Sequence, residues 1–253
     1  MTEQTFFYLL LYFFIGLSAV AFVALLLMSA PYGRHERVGF GPRINATLGW
    51  VLMEAPAPLL FAVYFIIGPR PIEPVLWVFL ILWELHYIHR AFVFPFRRRG
   101  KAQTMPLLIV LLGFLFNCIN SYINGRYLTA LGGPYSNSWF SDPRFLIGAI
   151  IFFGGMAINQ HSDLILFRLR KPGDTGYHMP TGGLYQFISA PNYFGEILEW
   201  FGYALLTWSP AALVFAIWTV ANLLPRAIAH HRWYRERFPD YPSDRKAIIP
   251  FLL

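Results

Sequence analysis

The sequence predicts an all-α integral membrane protein with seven transmembrane helices, and three observations support this. Hydrophobic residues make up 57% of the 253 residues and charged residues only 13%, about half of the charged share of a typical soluble domain. Apolar segments recur along the whole chain and are separated by short polar segments. The basic residues concentrate in alternate connecting segments, which is the pattern of multi-pass membrane proteins.

Seven apolar segments approach or exceed the roughly 20 residues that a membrane-spanning helix needs. The first lacks a preceding basic region and is too long for a signal peptide, so we predict that it is retained as a helix. Ser209 and Pro210 separate the last two, which predicts a tight hairpin because proline cannot continue a regular helix. The predicted spans are 6–28, 47–67, 73–94, 105–125, 144–167, 192–208 and 211–230.

The positive charges predict the orientation. Sixteen lysines and arginines follow the first, third, fifth and seventh spans, whereas the alternate segments hold only Arg70, Arg126 and Arg144. Because lysine and arginine accumulate in cytosolic loops, we expect the N-terminus outside or in the lumen and the C-terminus in the cytosol. No linker or internal repeat divides the chain, so residues 1–253 are expected to form a single polytopic membrane domain.

Composition also excludes several kinds of site. A single cysteine, Cys118, excludes an internal disulfide and any cysteine-based metal centre. The seven histidines, with close pairs only at His86/His89 and His230/His231, are too few for a di-iron hydroxylase. The sequence contains neither a G-x-G-x-x-G nor a Walker A motif, so any nucleotide must be bound in another way. The net charge of +7 is spread between apolar segments, which favours membrane topology over nucleic-acid binding.

Glu54 is the first candidate for a functional residue, because a charged group inside a bilayer is costly. In "VLMEAPAPLLF" it lies beside Pro56 and Pro58, and each proline removes a helical hydrogen bond. Irregular backbone within a membrane is tolerated only where it lines protein or a cavity. We therefore expect Glu54 to face the interior, either in a site or paired with a neighbouring helix.

Tyr87 is the second candidate. In "WELHYIHRAFVFP" it lies deeper in the predicted span than Arg90, so its hydroxyl can reach a buried ligand. His89 and Arg90 fit anchoring at the membrane interface at least as well as they fit catalysis.

Three predicted helices carry polar stripes. At about 100° per residue, each set of residues falls within an arc of about 40–80° on its helix. The sets are Asn159, Asp163 and Arg170; Asn192, Glu196, Glu199 and Tyr203; and Arg226, His230 and Tyr234. They lie toward the predicted cytosolic side, beside a loop (171–191) that we expect to be a folded cover. Together they predict one buried site for a large anionic ligand that enters from the cytosol. A proton-coupled transporter is a rival interpretation, but it explains neither the loop nor the arginines.

Three blocks of the sequence closely resemble the steroid 5α-reductase family (3-oxo-5-alpha-steroid 4-dehydrogenases). They are "ELHYIHRAFVFP", "INQHSDLILFRLRKPGDTGYHMPTGGLYQFISAPNYFGEILEWFGYALLTWS" and "RAIAHHRWYRERFPDYPSDRKAIIPFLL". The resemblance implies a seven-helix membrane fold and an NADPH-dependent oxidoreductase. The implied reaction is reduction of the Δ4 double bond of 3-oxo-Δ4-steroids by hydride transfer to C5.

The resemblance also implies roles for matching residues. Glu54 and Tyr87 match the catalytic pair that hydrogen-bonds the steroid 3-oxo group. Positions that match the surroundings of NADPH are Tyr32, Asn159, Asp163, Arg170, Tyr177, Asn192, Glu196, Arg226, His230 and Tyr234. Residues 1–130 would then form mainly the steroid site and residues 144–253 mainly the cofactor site. Met53 departs from the glutamine that steroid-active relatives can carry before the glutamate.

Several alternatives stay open at this point. Relatives of this fold reduce other lipid double bonds, in polyprenols or enoyl thioesters, and the C-terminal third is similar to membrane isoprenylcysteine methyltransferases. Glu199 matches no family role, and we expect it to pair with a neighbouring arginine or histidine. The expected partners are a steroid or related lipid and membrane lipid, without nucleic acid, and we expect a monomer. The membrane would be the endoplasmic reticulum in a eukaryote or the inner membrane in a bacterium.

Overall fold

The computed structural model describes residues 1–29, 35, 39–97, 104–169 and 176–253. In these residues the chain is almost entirely helical. The α-helices are α1 (Glu3–Leu27), α2 (Ala46–Glu54), α3 (Pro56–Ile66), α4 (Pro74–Ile88), α5 (Phe94–Arg97), α6 (Leu107–Arg126), α7 (Pro143–Arg168), α8 (Pro191–Thr207) and α9 (Pro210–Arg237). Two short antiparallel strands are β1 (Arg43–Asn45) and β2 (Thr104–Pro106). Turns of π-helix (His89–Val93, Tyr127–Leu131) and of 3-10 helix (Asn137–Ser141, Gly183–Gln186) complete the described elements.

Six helical segments of the described chain are long and apolar enough to cross a membrane. They coincide with six of the predicted spans and are Glu3–Leu27, Ala46–Ile66, Pro74–Arg97, Leu107–Leu131, Pro143–Arg168 and Pro210–Arg237. The remaining predicted span, 192–208, forms α8, which has only 17 residues. At about 1.5 Å per residue it extends about 26 Å, slightly less than the roughly 30 Å hydrocarbon core. The seven-span count and the orientation of the termini therefore stay predictions.

The outer surface of the helices is apolar. Large side chains such as Leu9, Phe13, Leu115 and Ile150 are more than half exposed. A contiguous apolar surface of this kind marks a membrane or protein contact rather than a water-facing surface. The exposed leucine, isoleucine and phenylalanine side chains thus suit contact with lipid.

An aromatic core occupies the centre of the bundle. Trp83 of α4 stacks on Phe61 of α3 with ring centroids 4.4 Å apart. Trp200 of α8 packs on Phe215 of α9 at the same centroid distance of 4.4 Å. Tyr87 belongs to this buried cluster, so its ring is held between several helices.

The second predicted span is interrupted rather than straight. α2 ends at Glu54, and Pro56 begins α3 after a one-residue joint. Backbone oxygens just beyond the joint accept hydrogen bonds from other helices. The Trp83 indole donates to the Ala57 carbonyl at 3.1 Å, and the Ser121 hydroxyl donates to the same carbonyl at 3.1 Å. The prolines thus place Glu54 at a helix end whose backbone is satisfied inside protein, as irregular backbone in a membrane requires.

α7 and α8 pack through glycines that let the two backbones touch. A methyl group added to Gly155 of α7 would lie 2.3 Å from the Glu199 backbone nitrogen and 2.6 Å from the Gly195 carbonyl oxygen. Gly148, seven residues before Gly155 on α7, and Gly202, seven residues after Gly195 on α8, make an equivalent contact. Small residues at such positions allow close helix packing in membranes, and here they bring the polar faces of α7 and α8 together.

Gly155→Ala is expected to destabilise the protein by about 1–3 kcal/mol, because the added methyl group collides with backbone that cannot rotate away. Gly154→Ala is the matched control, since a methyl group there meets nothing within 4 Å. Thermal unfolding in detergent, followed by tryptophan fluorescence, should show a lower Tm for Gly155→Ala only. Equal Tm values for the two variants would show that the glycine contact does not support stability.

The C-terminal segment holds the described part of the predicted cover in place. Ile188 and Lys246 form a parallel β-bridge, and Arg245 donates to the Pro180 carbonyl at 3.2 Å. The Ser189 hydroxyl lies 2.5 Å from the Tyr241 hydroxyl, and burial raises the pKa of Tyr241, which keeps that phenol protonated. Residues 176–191 are therefore folded against the C-terminal segment, in agreement with the prediction, while 171–175 lie outside the described residues.

Candidate active site

Glu54 lies at the end of α2, where α4 and α6 approach it. The side-chain nitrogen of Asn117 donates to Glu54 Oε2 at 3.1 Å and to the Met53 carbonyl at 2.7 Å. Arg90 Nε is 3.6 Å from Glu54 Oε1. Glu54 therefore faces the interior of the bundle, and both of its oxygens have a donor or a positive charge beside them.

Tyr87 lies on α4 and is only 3% exposed. Its hydroxyl oxygen accepts a hydrogen bond from the side-chain nitrogen of Asn120 at 3.3 Å. Its ring packs against Trp83 and Trp200, at centroid distances of 4.8 and 5.5 Å. Two residues later, α4 widens into the π-turn His89–Val93, a feature that often accompanies functional sites.

A row of asparagines on α6, which was not among the predicted site residues, connects the two candidate catalytic residues. Asn117, Asn120 and Asn124 are all buried and follow one another at spacings of three and four residues, so they share one face of α6. Asn117 contacts Glu54 while Asn120 contacts Tyr87. The signal was present in "NCINSYIN", three amides at helical spacing inside an apolar span.

The stripes predicted on α7 and α8 meet each other. The Asn159 side chain donates to the Asn192 carbonyl at 3.0 Å, and the Asn192 side chain donates to Asp163 Oδ1 at 3.0 Å. These bonds join three of the residues predicted to surround a cofactor. They involve only one of the two carboxylate oxygens of Asp163, Oδ1.

α9 reaches α8 through Tyr193, which the sequence analysis did not single out. The Arg226 guanidinium lies 5.3 Å from the centre of the Tyr193 ring. The Tyr193 hydroxyl is 3.2 Å from His230 Nε2, and His35 lies 3.2 Å from the other ring nitrogen of His230. Two predicted residues of α9 thus lie against the same residue of α8.

The other predicted residues near the cofactor are placed less centrally or lie outside the described residues. Tyr234 stacks on Tyr241 at a centroid distance of 5.7 Å and so contacts the C-terminal segment. Tyr177 packs edge-on against Trp233 at 5.0 Å. Tyr32 and Arg170 fall outside the residues that the structure describes, so their roles stay predictions.

Glu196 of α8 is within electrostatic reach of Glu54, Tyr87 and Asp163. Arg90 is also within electrostatic reach of Glu54, Glu196 and Asp163, and its guanidinium packs on Trp50 at 4.9 Å. Arg90 therefore lies inside the polar site, where its charge offsets those of the acids.

Glu199 and Tyr203 share the polar face of α8 but serve a different set of contacts. Glu199 Oε1 is 2.9 Å from His86 Nδ1, and the Glu199 residue is fully buried. The Tyr203 hydroxyl donates to the Phe79 carbonyl at 3.2 Å. The expected pairing of Glu199 with a histidine or arginine is confirmed, and this half of the face attaches α8 to α4.

The chemistry of these groups fits a nicotinamide dinucleotide. Asp163 and Glu196 offer carboxylate oxygens to the hydroxyls of a ribose or the N–H groups of a carboxamide. Arg226 and His230 offer nitrogen donors of the kind that bind phosphate. Among the described residues, Glu199 Oε2 is buried without a hydrogen-bond partner. Within the same described part of the chain, no three His, Cys, Asp or Glu side chains form a group that could hold a metal ion.

Fold and site together define a multi-pass membrane protein whose helices enclose a polar site beside an aromatic core. The profile of the 3-oxo-5-alpha-steroid 4-dehydrogenase family matches residues 103–253. The chain belongs to this family, whose members are oxidoreductases acting on CH–CH groups.

Relatives from animals and plants extend the match over almost the whole chain. The chain is 44% identical to 3-oxo-5-alpha-steroid 4-dehydrogenase 1 of Bos taurus, covering 94% of this chain and 93% of the relative. It is 44% identical to 3-oxo-5-alpha-steroid 4-dehydrogenase 1 of Homo sapiens, over 87% and 85% of the two chains. It is 40% identical to steroid 5-alpha-reductase DET2 of Gossypium hirsutum, over 99% of both. The predicted family is thus confirmed.

Proposed function

We propose that this protein is an NADPH-dependent 3-oxo-5-alpha-steroid 4-dehydrogenase, which reduces the Δ4 double bond of 3-oxo-Δ4-steroids to 5α-reduced 3-oxosteroids. The observation that carries the proposal is the arrangement of Glu54 and Tyr87. They lie on different helices, and neighbouring asparagines of α6 contact both. Family membership favours this reaction over methyl transfer or proton-coupled transport.

Tyr87 activates the substrate by donating a hydrogen bond to the 3-oxo group. Negative charge develops on that oxygen as the conjugated double bond is reduced, so the hydrogen bond strengthens in the transition state. A donor held in a water-excluded site is especially effective in this role. Tyr87 meets the requirement because its ring is fixed by aromatic neighbours and is almost completely buried.

Glu54 supports the same oxygen from the end of α2. When protonated it can share in the donation, and when ionised it is stabilised by Asn117 and Arg90. Glu54 is the last residue of α2, and Pro56 begins α3 after one intervening residue.

The cofactor is held by the polar faces of α7, α8 and α9. When bound, NADPH would supply the hydride that adds to C5 of the steroid, and the resulting enolate would take up a proton at C4. Asn159, Asp163, Asn192 and Glu196 would hold its ribose and carboxamide. The phosphates would be held by Arg226 and His230, with Tyr32, Arg170, Tyr177 and Tyr234 as further contacts.

The proposed membrane topology follows from the distribution of lysines and arginines among the connecting segments. We place seven spans in the membrane, with the N-terminus outside and the C-terminal and cover segments in the cytosol, where NADPH is found. The steroid would enter from the lipid, since the outer surface is apolar. We further propose that the membrane is the endoplasmic reticulum in a eukaryote or the inner membrane in a bacterium, and that the protein acts as a monomer.

The proposal is tested by following NADPH absorbance with purified protein in detergent. We expect NADPH to be consumed when progesterone, a 3-oxo-Δ4-steroid, is added. The corresponding 5α-reduced steroid, which lacks the double bond, is the matched control and should support no consumption. Consumption with a polyprenol or an enoyl thioester but not with progesterone would contradict the assigned substrate.

A further inference from the structure

We infer that Asn120 and Asn124 are positioning residues that fix the hydrogen-bond direction of Tyr87, so that its hydroxyl can act only as a donor toward the substrate. This inference rests on the proposed role of Tyr87. It concerns how the protein keeps the hydroxyl proton pointed into the site before the substrate arrives.

The first step is the orientation of the Asn124 amide. Its side-chain nitrogen lies 3.0 Å from the main-chain carbonyl oxygen of Asn120. A carbonyl oxygen can only accept a hydrogen bond, so the Asn124 atom that faces it must be the nitrogen. The main chain of α6 therefore determines which way this amide points.

The second step transmits that orientation to Asn120. The same Asn124 nitrogen lies 2.9 Å from the side-chain oxygen of Asn120. An amide nitrogen only donates, so the oxygen of the Asn120 amide must face Asn124. The NH₂ group of Asn120 must then face the other way, toward the Tyr87 hydroxyl at 3.3 Å.

The third step concerns Tyr87 itself. A phenol has a single hydrogen, and here the oxygen already accepts from Asn120. The Tyr87 hydrogen consequently points away from Asn120. Asn120 and Asn124 are 0% and 1% exposed, so bulk water does not compete for these bonds. The row Asn124, Asn120, Tyr87 is a chain of donors that ends at the substrate.

The test reverses the direction of this chain. Asn120→Asp is isosteric, but an ionised carboxylate accepts from Tyr87 and draws its hydrogen away from the substrate. We expect kcat to fall on the order of 100-fold, the loss typical of removing one donor to a developing oxyanion, with little change in the KM for NADPH. Asn120→Leu removes the amide without capturing the hydrogen, and we expect a smaller loss, on the order of 10-fold.

The order of the two variants separates positioning from structural support. If Asn120 only held the helices together, Asn120→Leu, which loses every side-chain hydrogen bond, would be at least as damaging as Asn120→Asp. That order would overturn the inference.

Asn124→Asp is a second variant that does not touch Tyr87. It should turn the Asn120 amide around and lower kcat more than Asn124→Leu does. Asn137→Asp, in an exposed turn, is the matched control and should have wild-type activity.

A double variant keeps failure of this inference distinct from failure of the proposed function. If Asn120 acts through Tyr87, adding Asn120→Asp to Tyr87→Phe should cause no further loss of kcat. A strongly reduced kcat for Tyr87→Phe, together with wild-type kcat for Asn120→Asp, would overturn the inference but not the proposed function. A fully active Tyr87→Phe would instead refute the role of Tyr87 on which the inference rests.

Discussion

Tyr87→Phe is expected to lower the turnover of 3-oxo-Δ4-steroids by about 10²–10³-fold, the cost of removing one donor from an oxyanion site. The substitution deletes a single oxygen atom from a ring whose packing against Trp83 and Trp200 is unchanged. NADPH binding should stay at the wild-type level, because the residues proposed to hold the cofactor lie on α7, α8 and α9. Steady-state kinetics with a fluorescence titration of NADPH would measure both quantities.

The matched control is Tyr12→Phe on α1, where the side chain is 66% exposed, and it should be fully active. Glu54→Gln should also lose turnover while it keeps NADPH binding, because an amide cannot replace the carboxyl beside Arg90. Near-normal 5α-reduction by both Tyr87→Phe and Glu54→Gln would show that the catalytic pair is assigned wrongly.

His86→Leu is expected to lower the free energy of unfolding by about 3–5 kcal/mol, because it leaves Glu199 buried without its partner. The His86 and Glu199 side chains are 2.9 Å apart, and both are almost inaccessible to solvent. The pair joins α4, which carries Tyr87, to α8, which carries Glu196. Thermal or denaturant unfolding in detergent would measure the loss.

The double variant His86→Leu/Glu199→Leu should recover most of the lost stability, since replacing a buried pair by apolar groups is often neutral or stabilising. The variant Glu199→Gln, which keeps the size of the side chain and removes its charge, should be intermediate. If the double variant is as unstable as His86→Leu alone, the loss comes from packing around His86 and not from an unpaired acid.

The sequence predicted the helices well because their apolar length is a strong signal. Six of the predicted spans match helices long enough to cross a membrane, and the hairpin at Ser209 and Pro210 is present. The single predicted span 47–67 is two helices that meet at Ala55. The prolines predicted irregular backbone there. The backbone carbonyl just beyond the joint accepts hydrogen bonds from Trp83 and Ser121, which lie far away in sequence and could not be predicted as partners.

The structure brings some of the predicted site residues together, while their roles stay predictions. Helical spacing put Asn159 and Asp163 on one face because residues four apart share a face, and in the structure both contact Asn192. Helical spacing cannot show that residues on one face of α8 contact different neighbouring helices. Glu199, which pairs with His86 of α4, was therefore predicted in the same stripe as Glu196. The asparagines of α6 were not predicted because the site prediction rested mainly on ionisable groups. The direction in which a neutral amide points is known only once its hydrogen-bond partners are known.

The most direct test of the central claim uses NADPH that carries deuterium at the transferable position of the nicotinamide. Purified protein, the labelled cofactor and progesterone should yield a 5α-reduced 3-oxosteroid with one deuterium at C5, identified by mass spectrometry and NMR. Tyr87→Phe should form the same product far more slowly. A protein that binds NADPH and progesterone but forms no product, or forms one without deuterium at C5, would contradict the proposed reaction.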